Sequence, residues 1–118
     1  MNGRITIGGT VFGVALAAST VAHGAAFDTV CERVYSAEVC ACSKNLMVSR
    51  LGMKEFAFYA VAVKAAMKNE EAGMSPEDAW AAAGQANDES AQILAPDMKG
   101  RSDELRAAHL KALDECGG

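Results

Sequence analysis

Four cysteines constrain this chain of 118 residues more than any other feature of its sequence. Cys40 and Cys42 stand one residue apart, Cys31 lies upstream of them, and Cys116 is close to the C-terminus. Two residues along a helix rotate a side chain by about 200°, so Cys40 and Cys42 would point to different sides and would not bridge each other. An even number of cysteines in a short exported chain is typical of a disulfide framework. We therefore expect two disulfides, one on each side of the helix that carries this pair.

The sequence leaves open whether Cys116 pairs with Cys42 or with Cys40, and we favour Cys31–Cys40 together with Cys42–Cys116. The long bridge would close a loop of about 75 residues, which the chain-entropy model values at roughly 4 kcal/mol of stability. Small domains have unfolding free energies of only about 5–15 kcal/mol, so this one bridge would supply a large part of the total.

The first residues have the layout of a secretory signal peptide. Arg4 precedes a long uncharged stretch, and small residues follow where cleavage would occur. Cleavage after Gly24 and cleavage after Ala26 both fit, so we predict a signal peptide over 1–24, cut between 24 and 26, and a single helical domain over 25–118. An uncleaved membrane anchor is the alternative, since the stretch is about long enough for a short membrane-spanning helix. Cleavage would leave the domain in the periplasm or secreted, with no stable membrane insertion.

Start and stop signals for helices follow the leader, and no run alternates apolar and polar residues as a strand would. A first helix begins after Ser36, a favourable N-cap, and ends at Gly52. A second helix covers roughly 53–70 and ends at Gly73. It is apolar on almost all sides, which is typical of a central buried helix.

Two further helices complete the predicted fold. Ser75 and Pro76 start the third helix as its cap and first residue. A glycine and several polar residues weaken this helix, so we expect a kink or break near Asn87. Ser102 is the expected cap of the last helix, about 103–116. The fold class is therefore all-α, a three- to four-helix bundle stapled by two disulfides. The predicted core consists of Phe56, Phe58, Val61, Val63, Met67, Trp80, Leu94, Leu105 and Leu113.

The charge balance excludes several classes of partner. Removal of Arg4 with the leader leaves 10 basic residues against 15 acidic ones, a net charge of −5. A nucleic-acid-binding protein needs a basic stripe that meets phosphates, and docking on anionic lipid needs a similar cluster. We therefore expect neither a nucleic-acid partner nor a lipid surface.

A metal site is the alternative interpretation of the cysteine pair. Cys40, Cys42 and His109 could hold a soft ion such as Cu(I) or Zn²⁺, because thiolates suit these metals. Exported thiols oxidise, however, and a zinc ribbon needs a second close cysteine pair. We therefore favour disulfides, with no metal and no other cofactor.

His109 is the only histidine beyond the leader, and it lies on the apolar stripe of the last helix. We expect a packed histidine with one hydrogen-bonded nitrogen. The alternative is a pH sensor, since histidine changes charge near neutral pH.

The parts of a catalytic site are missing from the sequence pattern. No glycine-flanked serine stands at a turn with a base nearby, and the two-residue spacing of a redox cysteine pair is absent. Adjacent acids, such as Glu70 and Glu71, have the pattern of solvated helix ends. We therefore expect no enzymatic activity.

Three motifs can be considered together: C-x8-C-x-C-x3-L from Cys31, G-M-S-x-E-D-A-W-x-A-A from Gly73, and A-H-x-x-A-x-x-x-C from Ala108. As a set they resemble small exported four-cysteine helical proteins of alphaproteobacteria. That group has no assigned activity. The resemblance therefore implies export and disulfide stapling, and it carries over no catalytic residue.

These patterns favour a non-enzymatic binding or structural protein of the periplasm or the secreted fraction, with an unknown protein partner. Two alternatives stay open: a soft-metal binder through the Cys-x-Cys site, and a periplasmic acid-stress chaperone, which is an analogy of architecture alone. The apolar second helix also leaves room for a homodimer.

Overall fold

The computed structural model describes residues 27–118, and this part of the chain consists of helices and connections without a strand. The helices are α1 over residues 27–31, α2 over Ala37–Leu51, α3 over Met53–Glu71, α4 over Pro76–Leu94 and α5 over Ser102–Glu115. A short 3₁₀ turn, Pro96–Met98, joins α4 to α5. The all-α prediction is confirmed. The predicted signal peptide over 1–24 lies outside the described residues.

The long helix α3 lies at the centre of the bundle. It packs along α4 and also contacts α2 and α5, while α2 and α5 pack on each other. Within residues 27–118, no helix has the length and apolar character needed to cross a membrane.

The helix boundaries follow local signals at three of the predicted positions. The hydroxyl of Ser36 accepts a hydrogen bond from the Val39 amide at 3.2 Å, and that of Ser75 accepts one from the Asp78 amide at 3.2 Å. Both hydroxyls therefore satisfy amides that would otherwise lack a partner at a helix start. Gly52 alone separates α2 from α3, and its φ of +110° is a conformation that favours glycine.

Two predictions about the later helices were wrong: a break of the third predicted helix near Asn87 and a cap at Ser102. Helix α4 runs through Asn87 without a break, because the buried side-chain amide of Asn87 donates a hydrogen bond to the carbonyl of Phe58 on α3 at 3.0 Å. Ser102 is not a cap: it is the first residue of α5, with Arg101 in the cap position and no side-chain cap bond. Its hydroxyl is buried without a hydrogen-bond partner in the described part of the chain.

Both predicted disulfides are present. Cys31–Cys40 ties α1 to α2, and Cys42–Cys116 ties α2 to the end of α5. These are the pairs that the sequence analysis favours, and residues 27–118 contain no free cysteine. Helix α2 therefore receives a crosslink on two of its sides.

The predicted core is largely, but not wholly, confirmed. Buried members are Phe56, Val63, Leu105 and Leu113, and half-buried ones are Phe58, Met67 and Trp80. The prediction was wrong for Val61 and Leu94, which are 38% and 82% exposed. Val61 lies on a strip of α3 that faces solvent, and at the end of α4 the buried residue is Met98 rather than Leu94.

Phe27 is the largest fully buried side chain that is absent from the predicted core. It is 1% exposed, and its ring centroid lies 5.0 Å from that of Phe56 in an edge-to-face arrangement. The interior of the domain therefore begins within the first described helix.

Candidate functional site

A cavity of about 170 Å³ lies between α1, α3, α4 and α5. Its buried floor is formed by Phe27, Cys31, Tyr59, Val63, Ala66 and His109. Tyr59, Val63 and Ala66 are spaced four and three residues apart, which places them on one face of α3. The floor is thus mostly apolar, with polar atoms only at Tyr59 and His109.

Aromatic rings pack against one another along one wall of this cavity. The centroid of the His109 ring lies 4.9 Å from that of Phe27 and 5.3 Å from that of Tyr59. Tyr59 and Trp80 meet edge to face, with their centroids 6.0 Å apart. Such contacts stabilise ring pairs beyond the burial of their surface, so the wall has a defined shape.

A chain of hydrogen bonds runs behind this wall. The Tyr59 hydroxyl lies 2.8 Å from His109 Nδ1, and Ser43 Oγ lies 3.4 Å from His109 Nε2. Ser43 also donates to the carbonyl of Cys40 at 3.0 Å. Tyr59, His109 and Ser43 are all buried. The chain therefore connects α3, α5 and α2 through the interior.

The proton positions follow from the inventory of donors. The single hydroxyl proton of Ser43 is used on the carbonyl of Cys40, so Ser43 Oγ accepts from His109. Nε2 of His109 then carries the ring proton, and Nδ1 accepts the hydroxyl proton of Tyr59. Each member of the chain has a partner, and His109 is neutral.

Burial shifts the pKa values of the His109 imidazole and the Tyr59 hydroxyl. It lowers the pKa of His109 to about 4 because the imidazolium would be desolvated. Burial likewise raises the pKa of Tyr59, an effect that the nearby positive charge of Arg106 partly opposes. Both groups are therefore uncharged near neutral pH.

The contact between Ser43 and His109 does not have the form of a nucleophile and its base. Ser43 is fully buried, and the nitrogen that faces it carries a proton rather than a lone pair. An activated serine needs an accessible oxygen and an acceptor nitrogen beside it. The pair is therefore a structural hydrogen bond.

Charged and half-buried residues surround the mouth of the cavity. The guanidinium carbon of Arg106 lies 5.1 Å from the centre of the Trp80 ring, a cation–π distance. The indole N–H of Trp80 donates to Asp103 at 2.7 Å, which fixes the ring. Glu70 also lines the mouth. Within residues 27–118, Arg106 has no carboxylate partner.

The three residues considered as metal ligands form disulfides or hydrogen bonds instead. The sulfurs of Cys40 and Cys42 are both in disulfides, so neither is a thiolate. His109 has partners on both nitrogens, where the sequence analysis expected one. Across the described residues, no group of three His, Cys, Asp or Glu side chains is arranged to hold a metal ion.

The cavity could not be predicted from the sequence because its residues come from four distant segments. Tyr59 and Ser43 each place a hydroxyl on an apolar helix face, and this was the one local signal of a buried partner.

Comparison with models of protein families, with curated proteins and with solved structures found no match for the chain.

Proposed function

We propose that this protein is an exported, non-enzymatic binding protein that holds a small apolar ligand in the cavity beside Phe27, Tyr59 and Trp80. The observation that carries the proposal is the cavity of about 170 Å³ with its aromatic wall. An engineered apolar cavity of about 150 Å³ is large enough to bind benzene. A single ring or a short alkyl chain is therefore the size of ligand that fits.

The polar atoms of the floor support binding rather than catalysis. The hydrogen bonds of Tyr59 and His109 are made to each other and to Ser43, so they hold the floor in place and leave the wall apolar. A preformed apolar pocket with few polar groups is typical of a small-molecule site.

The two disulfides support export, since such bonds form and persist in oxidising compartments. This supports our proposal that the protein is periplasmic or secreted, after cleavage of a leader over 1–24. The resemblance of its cysteine pattern to small exported proteins of alphaproteobacteria favours the same location.

Trp80 offers a direct test, because it is the only tryptophan of the chain and it lines the cavity. The whole chain is expressed with its leader, and the exported protein is titrated with single-ring compounds such as toluene, phenol and ethylbenzene. Saturable changes of tryptophan fluorescence are expected.

Two alanines on α3 provide a matched pair of variants. Ala66→Leu fills the floor of the cavity and should abolish the fluorescence change, whereas Ala65→Leu adds the same volume outside the lining and should preserve it. Circular dichroism confirms that both variants are folded. If no compound gives a saturable signal up to its solubility limit, the proposal is wrong.

An acid-responsive periplasmic chaperone is the second candidate. The buried, neutral His109 favours it, because protonation at acid pH would place a charge in the core and loosen the bundle. The test measures aggregation of client proteins at pH 3 and at pH 7. Protection confined to the acid sample supports this candidate, and absence of protection removes it.

A further inference from the structure

We propose that the ligand of the cavity is a small organic monocarboxylate, with its ring or alkyl chain on the apolar floor and its carboxylate on Arg106. This inference rests on the proposed function, since it concerns the same cavity. It adds the chemical class of the ligand and the orientation in which it binds.

The floor cannot receive the carboxylate end of a ligand. In the tautomer assigned above, the hydroxyl proton of Tyr59 points to Nδ1 of His109, and the ring proton of His109 points to Ser43. A carboxylate only accepts hydrogen bonds, so against this floor it would lose its water without gaining a hydrogen bond. The apolar end of the ligand therefore enters first, and the polar end stays at the mouth.

Arg106 is the group at the mouth that can receive an anion. Its guanidinium lies over the Trp80 ring, and the ring is itself held by the bond from its N–H to Asp103. A guanidinium that stacks on an aromatic face keeps the N–H donors at its edge available. No carboxylate in the described chain occupies those donors. A carboxylate matches them in charge and in its two-pronged geometry.

The second charge at the mouth limits the ligand to one carboxylate. Glu70 follows Tyr59 by 11 residues on α3, a rise of about 16 Å along the helix axis. The ring of Tyr59 packs against Trp80, and Arg106 lies over Trp80. Tyr59 is therefore at the end of the cavity where Arg106 lies. Glu70 therefore marks the other end of the mouth, where a second carboxylate would be repelled.

Three probes that share the same ring and chain length, and differ only in the head group, show which head group the cavity prefers. They are 3-phenylpropionate, 3-phenylpropan-1-ol and 3-phenylpropylamine, which are anionic, neutral and cationic at pH 7. Affinities for the exported whole chain are measured by calorimetry and by Trp80 fluorescence at low salt. We expect the carboxylate to bind at least tenfold more tightly than the alcohol, and the amine to bind most weakly.

Variants then assign the preference to one side chain. Arg106→Gln should lower the affinity for the carboxylate to that for the alcohol, while the affinity for the alcohol changes by less than about twofold. Lys111→Gln removes the same charge from the same helix at an exposed site outside the cavity, so it should leave the preference intact. Calorimetry is the deciding readout for Arg106→Gln, because loss of the stacked guanidinium also changes Trp80 fluorescence.

The outcomes distinguish this inference from the proposed function. If all three probes bind equally and Arg106→Gln has no effect, the cavity is a binding site but the carboxylate inference is overturned. Tightest binding of the amine would also overturn it and would assign the head group to Glu70. If none of these probes binds, and no other single-ring compound does, the proposed function fails as well.

Discussion

Acid should destabilise this protein through its buried histidine, His109. Its pKa is about 4 in the folded protein and 6.5 in a model peptide. The unfolded chain therefore binds more protons than the folded chain between these values, and the free energy of unfolding falls as the pH decreases through this window. The stabilisation is fully present above pH 6.5 and is lost below pH 4.

The size of the effect follows from the difference between the two pKa values. One pKa unit corresponds to about 1.4 kcal/mol, so the full shift lowers the free energy of unfolding by about 3 kcal/mol between pH 7 and pH 4. That is a large fraction of the total of about 5–15 kcal/mol for a small domain. The steepest loss should be about 1.4 kcal/mol per pH unit.

The assay is urea unfolding of the oxidised protein at pH 7, 6, 5 and 4.5, followed by far-ultraviolet circular dichroism. His109→Gln is the matched variant, because its carbonyl can accept from Tyr59 and its amide can donate to Ser43 without a charge that titrates. Carboxylates with lowered pKa values, such as Glu104 and Glu115, act mainly at lower pH and affect both proteins alike. The difference between the two pH profiles therefore isolates His109.

Equal slopes for the wild type and His109→Gln would refute this reasoning. So would a pKa near 6.5 for His109 in the folded protein, measured from the pH dependence of its ring signals by NMR. Either result would mean that water reaches the imidazole and that its hydrogen bonds to Tyr59 and Ser43 do not persist in solution.

Two further predictions concern stability and are measured by the same urea unfolding. Replacing Cys42 and Cys116 by alanine should lower the free energy of unfolding by about 4 kcal/mol, against about 3 kcal/mol for the Cys31 and Cys40 pair, because the first bridge spans 74 positions and the second spans 9. A larger loss for the short bridge would contradict the loop-closure explanation. Ser102→Ala should raise stability by about 1 kcal/mol, because it removes a buried hydroxyl that has no partner in the described chain; a loss of about 1 kcal/mol would instead indicate a helix cap.

Short-range signals explain which parts of the fold could be predicted. The Val39 amide donates to the Ser36 hydroxyl only three positions before it, and the turn at Gly52 depends on the backbone conformation of a single residue. The rotation between Cys40 and Cys42, which is fixed by helix geometry, excluded a bridge between these two residues, but it did not decide which of them pairs with Cys116. These features needed no knowledge of the tertiary structure.

Long-range packing explains the errors. Ser102 has the same local signal as Ser75, a serine followed by two acids in the first turn, but its hydroxyl is buried in the bundle and α5 begins one residue earlier. Asn87 looked like a break in α4 because its partner, the carbonyl of Phe58, lies 29 positions away in the chain.

The candidate site was the least predictable part for the same reason. Tyr59 and His109 are 50 positions apart, and the hydrogen bond between them is visible only when α3 and α5 are packed. His109 could be singled out as a lone histidine on an apolar stripe. Nothing near it in the sequence identified Tyr59, Ser43 or the cavity beside them.

The hydrogen bond from the Asn87 side chain on α4 to the carbonyl of Phe58 on α3 fixes how these two helices pack. Many buried side chains of α3 and α4 are alanines, and such smooth surfaces could slide by a turn with little loss of contact; these alanines include Ala62, Ala79, Ala83 and Ala91. The bond from Asn87 permits one rotation and one height of α4 on α3, since any other would leave a buried amide unpaired. This interior polar group thus selects a single register among packings that the small apolar residues would otherwise tolerate.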